Sequence, residues 1–378
     1  MRRAEIGLLV ALCFFLPLYE APKNLLWLLY ALAWSVNRVR ARNAGGPWDT
    51  WDTLIAAWIA SAFAVAPFAA LHGNEWGGAL DVLKYGALLW MAKRSRLTER
   101  EVTGVLAALV ASTLVGLVQG FVRLNAGMPT LQLNSVGHVN HTAIYLAIML
   151  GLCASWLFTG RNPVIAGGVS TLMLFALFVT ASRGAIGAGL VMLLLLGLAW
   201  WRRARWPLGV AVAAVAISLA AGIAGEAEVV KKQQANMQAG VVLSYRDQVW
   251  RVALDTWRAH PWFGVGPDNF ELVTRAREDD PNRALYPHPH NLYLAALVER
   301  GLVGALPLYA VLLAWPLWLV RRRPRREAPG QEWLLWSAAA GAWTVTALVG
   351  MVNTTLNQEH GLLAALLLGL WLARAKYN

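Results

Sequence analysis

Long apolar blocks, repeated from one end of the chain to the other, constrain this sequence more than any other feature. They occupy 5–19, 22–37, 52–71, 78–92, 101–122, 138–159, 163–181, 184–201, 207–225, 291–320, 333–354 and 359–374. About 20 mostly apolar residues bridge the hydrocarbon core of a bilayer, so the pattern predicts an all-α, polytopic integral membrane protein with about twelve transmembrane helices. A β-barrel would show short alternating segments instead. Charged residues make up 14% of the 378 positions, against about 25% in an average soluble domain, which excludes an ordinary soluble enzyme. The 58% hydrophobic content excludes disorder. Twenty tryptophans suit a protein with two membrane–water interfaces, where indole rings prefer to sit. Cys13 and Cys153, the two cysteines, both fall in apolar runs, which argues against a disulfide scaffold or a Cys-based metal site.

The net charge of +12 suggests nucleic acid until the cations are placed. With twelve spans, the side holding the termini collects Arg2, Arg3, Arg38, Arg40, Arg42, Lys93, Arg94, Arg96, Arg100 and Arg161. It also takes Arg202, Arg203, Arg205, Arg321, Arg322, Arg323, Arg325, Arg326, Arg374 and Lys376, which brings it to 20 of the 33 cations. The short loops opposite carry almost none. Both termini are therefore expected in the cytoplasm, and the basic balance is a topology signal with no nucleic-acid partner implied. The first run follows Met1-Arg2-Arg3 like the start of a signal peptide. No small-residue cleavage site follows it, so it reads as retained.

One external segment is long, from Glu226 to about His290, with five prolines, mixed charges and aromatics at Tyr245, Trp250, Trp257, Trp262, Phe263 and Phe270. Loops beyond about 15 residues are functional or disordered. Regular Trp and Leu spacing over 244–258 favours an amphipathic helix on the membrane surface. The chain thus reads as a single membrane domain (1–378) containing a large external loop or lid (226–290).

Ionisable groups in or beside apolar spans are costly, so each marks a possible site. Arg183 lies in Thr180-Ala181-Ser182-Arg183-Gly184, between two apolar helices with almost no loop. The bland reading is a snorkelling side chain. The sharper one is a forked donor to a phosphate, favoured because the turn faces the side where the charge bias disfavours Arg. Arg246 follows in Ser244-Tyr245-Arg246-Asp247, where a salt bridge with Asp247 is the ordinary alternative. The G-x-G of Pro261-Trp262-Phe263-Gly264-Val265-Gly266 has no preceding strand and no third glycine, so a tight turn packing on the membrane surface suits it better than a nucleotide loop.

Pro287-His288-Pro289-His290-Asn291 then leads into Glu299-Arg300-Gly301. No H-E-x-x-H or Cys partner accompanies the histidines, so imidazole as a general base is the more economical reading than a metal ligand. Pro289 places His290 at a helix start, with Glu299 two and a half turns deeper to brace the helix or orient a charge. Asn140 and His141, opening the sixth run, read equally well as caps or as substrate contacts. Asp81 and Lys84 lie three apart on one helix face and suit a mutually neutralising pair as well as a site. Arg123 ends the fifth run as a further substrate-binding candidate.

These pieces, in this order, resemble the O-antigen ligase and polymerase superfamily. The motifs are Arg183 after a short Ala-Ser turn; Ser244, Arg246 and Trp250; Pro261, Gly264, Gly266 and Phe270; then His290, Asn291, Leu294, Glu299 and Gly301. They cover about 180–301, and the remainder matches as a span pattern. The resemblance implies a metal-independent membrane glycosyltransferase of the bacterial inner membrane, without cofactor. It implies an undecaprenyl-pyrophosphate-linked glycan as donor, a hydroxyl of lipid A-core as acceptor, and an active site facing the periplasm. In that frame His290, Arg246 and Arg183 are the catalytic candidates, and Asn291, Glu299, Tyr245, Asn140, His141, Lys84 and Arg123 the substrate-binding ones. Ligases and polymerases share these motifs; the single large loop, late between the ninth and tenth runs, favours a ligase. A small-solute carrier, bicarbonate-like, is the alternative from another class. It would gather its charges near the bilayer midplane on broken helices, whereas these cluster at one external edge.

Overall fold

The computed structural model describes residues 2–223, 246–275 and 288–375, and every regular element among them is helical. Twelve helices overlap the twelve apolar runs one for one. They are α1 (Arg2–Phe15), α2 (Glu20–Ala41), α3 (Thr50–Val65), α4 (Glu75–Arg94), α5 (Glu99–Asn125) and α6 (Val139–Phe158). Then come α7 (Pro163–Val179), α8 (Arg183–Trp200), α9 (Trp206–Ile223), α12 (Leu292–Arg321), α13 (Gly330–Gly350) and α14 (Gln358–Ala375). Between α9 and α12 lie α10 (Arg246–Ala259) and α11 (Phe270–Arg275). Among the described residues six segments are long and apolar enough to cross a membrane: Thr50–Phe68, α5, α6, α8, α12 and α13. Helices α2 and α4 have the length but carry charges at both ends of their apolar stretch. Helix α1 stops at Phe15, two residues before Pro17 and earlier than the run that predicts it.

Helix α6 is apolar on all sides, and every residue from Thr142 to Ser155 is buried, as such a helix must be. It packs against α7, α8, α13 and α14. Gly151 on α6 faces Gly341 on α13. A Cβ on Gly151 would fall 2.6 Å from the Met192 sulfur of α8, so three helices meet at a point only glycine permits. Helix ends are fixed by local chemistry, as in the capping boxes of Asp49 with Asp52 and Thr98 with Glu101.

The described part of the 226–290 segment is built into this bundle. Val249 and Ala253 of α10 are buried with Val265, Phe270 and Val298 in a small core of their own. The amphipathic helix expected on the membrane surface therefore spends its apolar face on protein. Helix α12 breaks at Gly301, whose φ of 56° and ψ of −165° are closed to side chains. The break frees the carbonyls of Val298 and Glu299. They accept from the N–H groups of Val265 (2.9 Å) and Gly266 (2.8 Å), while Leu302 N–H donates to Pro261 O at 2.8 Å. On the other side Ala70 and Leu71 donate to Gly264 and Val265 at 3.2 Å. The G-x-G turn expected against the membrane is thus the plug of a broken helix, held between α12 and the 69–75 loop.

Candidate functional site

Four helices begin around one locus. Helix α6 starts at His138, whose Nδ1 accepts from Asn140 N–H at 3.1 Å; the cap is His138, and Asn140 is left for another task. Its Oδ1 accepts from Ser182 Oγ at 3.2 Å, which ties α6 to the turn before α8. In that turn Ala181 takes a left-handed φ of 52°, and Arg183 becomes the first residue of α8. A cation at a helix N-terminus opposes the helix dipole, so Arg183 is not there to stabilise α8. The same end attracts anions.

Helix α12 begins one residue after Asn291. The Asn291 side chain accepts from the N–H groups of Tyr293 (2.9 Å) and Leu294 (3.0 Å) and donates to Met351 O at 2.9 Å. Its amide caps the helix and ties it to the end of α13, so it positions its neighbour. That neighbour, His290, holds a left-handed φ of 48°, a strain of the kind stored at functional sites. Its Nδ1 lies 3.4 Å from Asn353 Oδ1. With the amide oxygen accepting, Nδ1 carries the hydrogen and Nε2 keeps its lone pair. Burial, and then the charge of Arg246, push the His290 imidazole down to about 4, so it is neutral at physiological pH.

Arg246 opens α10. Trp250, one turn on, donates from Nε1 to Pro289 O at 3.1 Å, which presents that face of α10 to His290. Burial, followed by the like charge of Arg183, holds the Arg246 guanidinium below its ordinary value. Two guanidiniums close enough to feel each other, beside a neutral imidazole and helix N-termini, are a combination chemically suited to a multiply charged anion.

The fourth start is α14. His141 Nδ1 is 2.9 Å from His360 Nε2, their rings stacked with centroids 5.2 Å apart. Behind His360, the buried Glu359 carboxylate pairs with Lys23 of α2 and accepts from Ser135 Oγ at 2.7 Å, which pins α14 and α2 under the site.

Other predicted residues fall elsewhere. Lys84 is paired with Asp81 at 2.8 Å, the mutual neutralisation their spacing allows. Arg123 donates to Asn134 Oδ1 (2.9 Å) and Gln132 O (3.2 Å), and so fastens the loop after α5. Glu299 is 8% exposed and lines a cleft with Arg300, Asp81, Asp268 and His288. Tyr245 and Ser244 lie outside the described residues. Asn353 and His360 were not singled out by the sequence. Both are ordinary polar residues at helix ends, reached across 63 and 219 positions.

Residues 168–309 match the family model described as O-antigen ligase. A stretch of 136 residues is 29% identical to an O-antigen ligase of Pseudomonas aeruginosa, covering 34% of this chain and 31% of that relative. The resemblance read from the motifs therefore stands, and the matched residues carry Arg183, Arg246, His290 and Glu299.

Proposed function

We propose that this chain, which carries an O-antigen ligase domain, transfers a glycan from undecaprenyl pyrophosphate to a hydroxyl of lipid A-core at the periplasmic face of the inner membrane. The observation that carries the reading is the meeting of Arg183 and Arg246 with a neutral His290 where helices begin. The arginines hold the donor diphosphate. His290 Nε2 takes the proton of the acceptor hydroxyl, whose oxygen attacks the anomeric carbon from the face opposite the diphosphate. The bond from that carbon to the diphosphate oxygen breaks, the electron pair leaves with the diphosphate, and the configuration inverts. The arginines stabilise the departing charge, so the transfer requires no metal and no nucleotide. The cleft of Glu299, Arg300 and His288 adjoins His290 and offers the polar groups that an acceptor sugar needs.

Twelve spans, cytoplasmic termini and a periplasmic 226–290 lid belong to the same proposal. The test is to incubate purified protein with undecaprenyl-pyrophosphate glycan and lipid A-core, without metal or nucleotide. Transfer to the core is the expected result; chain lengthening on the carrier lipid would make it a polymerase instead. Full activity of Arg183→Ala and of Arg246→Ala, each at normal protein levels, would sink the clamp.

A further inference from the structure

At the far ends of α8 and α12, about 27 Å from Arg183 along the 18 residues of α8, six arginines surround a hollow of about 630 Å³. They are Arg202, Arg203 and Arg205 from one loop and Arg323, Arg325 and Arg326 from another, and among the described residues no carboxylate lines the space between them. An inward bias of positive charge asks only for cations in loops. It does not ask that they face one cavity or be held still.

Arg205 lies over the Trp201 ring at 5.3 Å, and two of the six are held by hydrogen bonds as well. Arg203 donates to Ala328 O at 2.6 Å and Arg326 O at 3.3 Å, and it lies over the rings of Trp200 and Trp333, 5.6 and 5.8 Å from their centroids. Arg323 donates to Ala199 O and sits over Trp333 and Trp336 at 5.6 and 6.0 Å. Both guanidiniums thus lie within 6 Å of the Trp333 ring, and Arg323 feels the like charge of Arg202. Fixed guanidiniums are forks matched to phosphate oxygens. The rim is apolar and exposed: Leu198, Trp201 and Trp206 beside one loop, Leu317 and Val320 beside the other. That rim is suited to acyl chains and gives a free anion nothing to bind.

We propose that this hollow is a binding site for an anionic phospholipid whose headgroup carries two phosphates, seated with its acyl chains along α8, α9 and α12. Basic pockets between membrane helices take such headgroups. The site is independent of the transfer reaction, and its test does not depend on that activity.

Full-length protein in detergent would be titrated with tetraoleoyl cardiolipin, dioleoyl phosphatidylglycerol or inorganic pyrophosphate, and bound lipid counted by native mass spectrometry. Cardiolipin is expected to bind at least about tenfold more tightly than phosphatidylglycerol, with no retention of pyrophosphate. The Arg203→Gln/Arg323→Gln variant should lose that preference. Arg202→Gln/Arg325→Gln, which leaves both carbonyl-bonded guanidiniums in place, should weaken it and so guards against a folding defect in the first. Arg42→Gln/Arg100→Gln, which removes the same charge from other loops of that side, should keep it. Equal losses in all three variants would reduce the effect to bulk charge and overturn the site. Equal affinity for pyrophosphate would overturn the lipid, and absence of any cardiolipin preference would overturn both.

Discussion

His288 and His290 share a proline-rich stretch and differ in what the fold makes of them. His290 faces Asn353 and Arg246, while His288 lines the neighbouring cleft. His290→Ala is expected to cost roughly 10²–10⁴ in transfer rate, the usual worth of a general base, and His288→Ala to keep most activity. In vitro transfer by the two variants decides it, and near-normal turnover by His290→Ala would refute the base. A pH dependence follows. An imidazole pushed down to about 4 stays neutral above that pH, so the acidic limb of kcat/KM should fall near pH 4 instead of near 6.5. Arg246→Gln removes a neighbouring positive charge and must raise the His290 pKa, which a 15N-histidine NMR titration reads directly. A His290 titrating near 6.5 in both proteins would contradict the buried, cation-facing site. Arg183, Arg246 and His290 were legible because each side-chain type is expensive beside apolar helices. Asn353 and His360 were not, since a neutral polar residue at a helix end has no such cost to betray it.

At the scale of the element, α12 is one helix by pattern and two by geometry. Its break at Gly301 supplies the free carbonyls on which the 261–266 turn docks, and through that turn α10 and Arg246 are set against His290. A Cβ at Gly301 would lie 2.2 Å from the carbonyl carbon of Trp262 at a φ of 56°. Gly301→Ala should therefore lower the Tm of the detergent-solubilised protein, with strain of about 1–3 kcal/mol, and reduce transfer with it. Gly187→Ala, in mid-helix with open space around the site, should leave the Tm unchanged or raise it. Equal effects in the two would mean that the break is not what holds the 261–266 turn. The spacing of Gly264, Gly266 and Gly301 was visible in the sequence. That they are one joint was not, because periodicity cannot say which glycines touch across 35 residues.

For the whole molecule, the remaining prediction is its orientation. Single cysteines at Lys232 and Arg326, with Cys13 and Cys153 replaced by Ser, should respond oppositely to an impermeant thiol reagent on intact spheroplasts. Position 232 should label and position 326 should not; the reverse would invert the topology and move the active site to the cytoplasm. The chain's own order of residues determined the all-helical build and the place of each long helix, because an apolar run long enough for a bilayer has its backbone satisfied only within itself. It also marked the arginines and the histidine on which the proposed transfer rests, because charge in apolar surroundings is rare enough to stand out. The tertiary structure alone decided which helix starts converge, that α10 is spent on protein, that Lys84 and Arg123 are tied up locally, and that six loop arginines share one hollow. Those outcomes depend on contacts between residues far apart in the chain, where distance is set by packing and no local pattern records it.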